Sequence, residues 1–117
     1  MKFIRSEKQQ KALEFALDVI SNSPLKPYIS STFLYGSCAR GEENEDSDVY
    51  LLLEFKEEFE EHKKEFKKEI LLLKSEVTDD ELFSAETDLK IVIGQDWKKS
   101  NMFFYKNIRK DGILVTK

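Results

Sequence analysis

Apolar positions in this chain recur with two different periods, and the alternation between them predicts its elements. Ala12, Leu13, Ala16, Leu17 and Ile20 step by three and four behind Ser6-Glu7-Lys8-Gln9, a capping-box pattern, which predicts a helix over 6–22. Ser21-Asn22-Ser23-Pro24 ends it, and Pro27 prevents its resumption. Ile29 to Tyr35 is a β-rich run closed by Gly36 and predicts a first strand. Residues 37–40 suit a short helix and 41–47 a polar loop, after which Val49 to Phe55 forms the near-continuous apolar run of a buried strand. Phe59, His62, Phe66, Ile70 and Leu73 then return to the helical interval among Glu and Lys, predicting a helix over 57–74. Asp79 and Asp80 mark a loop. From Thr87 to Ile93, Leu89, Ile91 and Ile93 alternate with Asp88, Lys90 and Val92, so a strand with two unlike faces is expected, stopped by Gly94. Asp96 is the expected N-cap of a helix reaching Lys110, with Trp97, Phe104 and Ile108 on one face. Asp111-Gly112 is the expected left-handed C-cap, and 113–116 the final edge strand. The predicted order is αβ(α)βαβαβ over one domain of residues 1–117, an α/β chain.

Length and composition narrow the function classes. A chain of 117 residues has the size of one ordinary domain, and 40% apolar residues exclude disorder as a global description. Its apolar runs are far shorter than the roughly 20 residues needed to cross a bilayer. The N-terminus lacks the apolar stretch of a secretory signal, and Cys38, the one cysteine, permits no internal disulfide, so a cytoplasmic setting is expected. A formal charge of −4 argues against a general nucleic-acid scaffold. The charge is uneven: residues 41–61 carry ten acids and one base, whereas 97–117 carry six bases and one acid. An acidic centre of this kind can hold cations and a basic flank can receive phosphates, although solvated helix faces have the same composition.

The informative stretch runs from Phe33 to Leu51. A strand that ends in Gly36-Ser37 and turns at once into a helix presents backbone N–H groups, a hydroxyl and a positive helix end to one point, which suits an anion. Gly36 permits close approach of a phosphate to the backbone, and Ser37 can hydrogen-bond to it. Alone, such a turn is usually only a turn. Two further acids raise its significance: Asp48 at the start of the next strand, and Asp88 among apolar neighbours in a later one.

The stretch YGSCARGEENEDSDVYLLLEF resembles the nucleotidyltransferase motif of the DNA polymerase β superfamily, in particular its minimal members: Gly-Ser, a spacer, then Asp-x-Asp at a strand start. ETDLKIVI resembles the third-carboxylate strand of that family, and IRKDGILV resembles its closing helix, glycine and last strand. The resemblance implies a small mixed sheet carrying acids on an open face, with helices packed on the other. It also implies two Mg2+ ions held by three carboxylates, and transfer of a nucleotide, AMP from ATP, to a hydroxyl acceptor. Carried over residue by residue, Gly36 and Ser37 would cradle the phosphates, and Asp48 would be the first metal ligand. Asp88 would be the third carboxylate and the base for the hydroxyl. Arg40 has three candidate partners: a phosphate, Asp48, or an acid that ties the short helix to the loop.

The departure from the family pattern is at the centre, where the second Asp is replaced by Tyr50. Side chains alternate along a strand, so Tyr50 shares the face of Asp48 and occupies the ligand position itself. A phenol is neutral at physiological pH and a poor Mg2+ ligand, so the second ion should be lost or weakly held and activity lowered. Asp46-Ser47-Asp48 offers a shifted Asp-x-Asp as a rescue; Glu54 shares the face of Tyr50 but lies about 13 Å beyond it, at roughly 3.3 Å per residue. His62 and Cys38 read as packing residues, and Lys90 as a partner for Asp88 or for a phosphate. The expected ligand is a nucleoside triphosphate, with nucleic acid entering only as an acceptor. By analogy with antitoxin-like minimal members, a helical protein or a second copy is the expected partner, and a catalytically inactive binding module is the alternative to an enzyme.

Overall fold

The computed structural model describes residues 2–78 and 85–116. Its elements are α1 (Glu7–Ser21), β1 (Ile29–Tyr35), α2 (Ser37–Arg40), β2 (Val49–Phe55), α3 (Lys67–Glu76), β3 (Thr87–Ile93), α4 (Phe103–Asp111) and β4 (Ile113–Leu114). They follow one another in the predicted order, with 3-10 turns at Lys26–Tyr28, Glu57–Glu61 and Asp96–Lys99. The loop expected at Asp79 and Asp80 lies outside the described residues. Among the described residues, no helix is long and apolar enough to cross a membrane.

The strands lie in the order β3-β2-β1-β4, with β2 parallel to β3 and antiparallel to β1, and β4 antiparallel to β1. The sheet is therefore mixed, and β2 has a neighbour on both sides. Its apolar run follows from that position. Val49, Leu51, Leu53 and Phe55 face Ala12, Leu13, Ala16 and Leu17 of α1 and Leu73 of α3 in the main core, where each fully buried side chain contributes about 1.5–3 kcal/mol.

Residues paired across a ladder share a face, so the register orders the opposite side of the sheet into rows. Tyr35, Tyr50 and Asp88 form the end row; Phe33, Leu52 and Lys90 form the next; Glu54 and Val92 follow. Trp97 and Ile108 close over Leu52 and Tyr35, with Phe33, Tyr50, Val92 and Tyr105 packed around them. Helices α1 and α3 thus lie on one face, as the resemblance implies, while α4 and the 3-10 turn before it cover the far part of the other. The acid-bearing face is open only at its margin, where Asp88 and Lys90 are exposed.

Four local expectations are corrected, the two long helices by contacts distant in sequence. The helix expected over 57–74 is a 3-10 turn at Glu57–Glu61, a turn segment, and then α3 from Lys67. Phe59 stacks on Phe55 at 4.4 Å and meets Phe66 at 6.0 Å, and Tyr28 touches both Phe59 and Phe66. In a continuous helix residues 59 and 66 would stand roughly 10 Å apart along the axis, so drawing both rings onto Tyr28 compresses the segment. Like charges four apart, Glu57 and Glu61, weaken the helical alternative further. His62 is half-buried against Tyr28, a packing residue.

The helix expected from Asp96 to Lys110 is broken at 100–102, and Asp96 is the first residue of a 3-10 turn rather than an N-cap. The buried Glu54 carboxylate draws this turn down. It accepts hydrogen bonds from Trp97 Nε1 at 2.6 Å and Ser30 Oγ at 2.7 Å. The Arg109 guanidinium then donates to the carbonyls of Trp97 and Ser100, folding the turn back along α4. Gly112 is extended (φ −67°, ψ 142°) rather than left-handed. Glycine is required there for space, since a Cβ would stand 2.5 Å from the Ile108 carbonyl oxygen. The last strand keeps its edge position but is shorter than expected, Ile113–Leu114, continued by irregular bonds from Val115 N to the Thr32 carbonyl and from Thr32 N to Thr116 Oγ1.

Candidate functional site

At the end of β1, Gly36 adopts φ 83°, ψ −161°, a region open essentially to glycine alone. This swings the chain abruptly into α2. Ala39 N and Arg40 N both donate to the Gly36 carbonyl, so the amides of Ser37 and Cys38, at the first two helical positions, have no acceptor within the helix. Ser37 Oγ donates to Ser47 Oγ at 3.3 Å, joining the two ends of the acidic loop, and the Cys38 thiol donates to the Asp48 carbonyl at 3.4 Å.

Carboxylates lie near both ends of this turn and raise the titration of its neighbours. Burial, then the charges of Glu43 and Asp48, together raise the Cys38 thiol to about 11, against a hydrogen bond from Ser37. Burial raises the Tyr35 phenol well above its ordinary value, with the Asp88 carboxylate as the next cause and Tyr50 and Tyr105 after it. Tyr35, Gly36, Ser37 and Cys38 are consecutive. Glu43 and Asp48 therefore lie near one end of this turn and Asp88 near the other. Asp48 is half-buried and Asp88 exposed.

Tyr50 lies between them. It pairs with Asp88 in the parallel ladder and with Tyr35 in the antiparallel one, where the two rings stand 5.7 Å apart. Its ring also covers Gly36: a Cβ on that glycine would meet Tyr50 Cδ2 at 3.1 Å. The space that the missing side chain leaves is filled by this ring. By strand spacing, Asp48 and Asp88 stand diagonally across the ladder, their Cα atoms roughly 8 Å apart.

The other predicted residues lie further out. Arg40 Nε pairs with Glu42 Oε1 at 2.9 Å, and Nη1 approaches Asp111 Oδ2 at 3.7 Å, so of its three candidate partners it takes the acidic ones that tie α2 to the loop and to α4. Both pairs are solvent-accessible and stabilise by less than about 1 kcal/mol. Asp46 is exposed, its amide donating to Asn44 Oδ1 at 2.8 Å. Among the described residues no three His, Cys, Asp or Glu side chains converge to hold a metal ion, so Asp46 does not complete a triad with Asp48 and Asp88. Asp48 and Asp88 are the two carboxylates that could hold one Mg2+ together with phosphate and water oxygens, and Tyr50 offers no carboxylate between them. Lys90 makes no ion pair with Asp88 among the described residues.

Sequence reasoning overlooked the residues that hold the acidic loop. Gln9 is fully buried, and its Nε2 donates to the carbonyls of Asn44 at 3.0 Å and Ser47 at 3.2 Å, with Glu45 O at 3.5 Å. Ser6 Oγ donates to Gln9 Oε1, which fixes the amide's orientation; Arg5 Nη2 binds the Gly41 carbonyl and Lys8 Nζ that of Glu45. The N-terminal turn of α1 thus grips the loop that delivers Asp48. The available signal was the glutamine of the capping box, whose side chain turns to the loop carbonyls instead of back to the helix. Gln9→Glu keeps the shape but removes both donors, and is expected to destabilise the fold by about 1–3 kcal/mol. Denaturant midpoints of the two proteins check this, equal midpoints contradicting the clamp. For Cys38, only the thiolate alkylates, and a thiol pushed up to about 11 stays protonated. Alkylation of the native protein should be slow at pH 8 and rise about tenfold per pH unit through pH 9 without levelling off near the ordinary thiol value, becoming fast only on unfolding. Rapid modification of folded protein at pH 8 would contradict the burial.

Comparison with known proteins follows this geometry. No curated relative matches the chain by sequence. A solved structure of a candidate nucleotidyltransferase from Sulfolobus solfataricus, determined at 1.40 Å, superposes with a TM-score of 0.57 at 18% identity, over 92% of this chain and 82% of that one. It shares the fold. The family profile described as "Polymerase beta, Nucleotidyltransferase" matches residues 18–117, a span containing the Gly36-Ser37 turn, Asp48, Tyr50 and Asp88. With that match over most of its length, the chain belongs to the polymerase β nucleotidyltransferase family.

Proposed function

We propose that this protein binds ATP at the Gly36-Ser37 turn and transfers AMP to a hydroxyl acceptor, at a rate that Tyr50 holds down. The observation that supports it most is the geometry of that turn: the Cys38 thiol donates to the Asp48 carbonyl, and Tyr35, immediately before Gly36, stands in the end row of the sheet with Tyr50 and Asp88. The amides of Ser37 and Cys38 and the Ser37 hydroxyl would hold phosphate oxygens. Asp48 and Asp88 would hold one Mg2+, which when bound offsets the charge of the triphosphate. Asp88, being exposed, is reachable by an acceptor and would take the proton of its hydroxyl as the oxygen attacks the α-phosphorus and pyrophosphate departs.

A second reading has its own support. With the Tyr50 ring over Gly36 and Arg40 engaged by Glu42 and Asp111, the site also suits a module that keeps the fold without catalysis and acts through a helical protein partner or a second copy. Calorimetric titration of ATP with and without Mg2+ into the natural chain and Asp48→Asn separates the two. Magnesium-enhanced binding that Asp48→Asn weakens by about tenfold or more supports the enzyme. Binding indifferent to both, or absent, supports the module.

A further inference from the structure

We propose that Phe103 and Phe104 form the platform on which the nucleobase stacks, an inference that rests on the phosphates lying at Gly36 and Ser37. Met102, Phe103 and Phe104 are 62%, 78% and 38% exposed, three consecutive large apolar residues facing water at the start of α4. A run of this kind works against solubility and is retained where it serves a function. The rest of the helix shows the ordinary pattern, with Ile108 buried and Lys106, Arg109 and Lys110 exposed.

Position selects the occupant. Phe104 stands edge-on to Tyr35, ring centroids 5.6 Å apart at 89°, and Tyr35 is the residue immediately before Gly36. Only one ring therefore separates the exposed aromatic surface from the phosphate turn. On its other side Phe104 meets Tyr105 edge-on at 5.2 Å, so the ring is supported from two directions. A planar, uncharged heterocycle tethered to a polyanion matches these surroundings: an aromatic face close to the turn, and exposed Lys106 and Lys110 on the same helix. A phosphate without a base would make no use of the phenylalanines.

The test compares ATP with inorganic tripolyphosphate, both with Mg2+, on the natural chain, Phe104→Leu, and a Phe103→Leu/Phe104→Leu variant. Leucine keeps the apolar contact with Tyr35 and removes the π-face. ATP should bind the double variant about tenfold or more weakly, with tripolyphosphate binding unchanged. If tripolyphosphate binds but ATP affinity is the same in all three proteins, the base platform is overturned and the phosphate turn stands. If neither ligand binds the natural chain, both fail. Sedimentation covers the remaining occupant: self-association of the natural chain that the double variant abolishes, with ATP affinity unchanged, would assign the patch to a second copy and overturn the proposal.

Discussion

Tyr50→Asp is expected to raise magnesium-dependent nucleotide transfer by about 100-fold or more, since restoring a metal-binding carboxylate should exceed the 10- to 100-fold typical of second-shell partners. The position is already right. Tyr50 pairs with Asp88 in the ladder and lies two residues after Asp48 on the same face, so an aspartate there would place a carboxylate between the other two. The shorter side chain would also clear the space over Gly36 that the ring now fills. The same change should weaken the metal-free protein. It removes a half-buried ring packed on Tyr35 and crowds three carboxylates, a loss of about 1–3 kcal/mol that Mg2+ should largely restore by binding only the folded state. Transfer of label from the α-phosphate of ATP, with thermal unfolding in the presence and absence of Mg2+, reads both effects. No gain in rate, with the variant folded and its unfolding insensitive to Mg2+, would remove Tyr50 from the account.

Gly36→Ala should be the most damaging single-methyl change near the site, destabilising by about 2–4 kcal/mol. Two effects combine. At φ 83°, ψ −161° any side chain strains the backbone, and the new methyl would press on Tyr50 Cδ2 at 3.1 Å. They can be separated by a double-mutant cycle. In a Tyr50→Ala background the contact is gone and the backbone strain remains, so the cost of Gly36→Ala should fall by about 0.5–1 kcal/mol or more without vanishing. An unchanged cost would mean that the ring yields freely. A vanished cost would mean that the backbone is not strained.

The strands were legible because burial forces their composition. Val49–Phe55 reads as a near-continuous apolar run, broken at Glu54, since β2 is an interior strand packed on both faces. Strand parity likewise placed Tyr50 and Asp88 on one face, where they pair in the ladder, while Asp48 precedes the first residue of β2. The helix breaks were not legible. They depend on Tyr28 gathering Phe59 and Phe66, and on Glu54 binding Trp97, pairs separated by dozens of residues with no local trace. Gln9 belongs to the same class: as a capping residue it looked complete, and its work on the loop carbonyls appears only when α1 lies beside residues 44–47. Gly36 was recognised for the freedom it gives a ligand, yet the group lying against it is the ring of this chain's own Tyr50.

The most direct test of the central claim, that two carboxylates flank the phosphate turn while an aromatic ring takes the place of the third, is a count of bound ions. Mn2+ substitutes for Mg2+ on oxygen ligands and can be counted by electron paramagnetic resonance in the presence of ATP. The natural chain with ATP should retain one ion, with that complex weakened in Asp48→Asn and Asp88→Asn, and Tyr50→Asp should retain two. Two ions on the natural chain, or one held equally well without Asp48 and Asp88, would contradict the account.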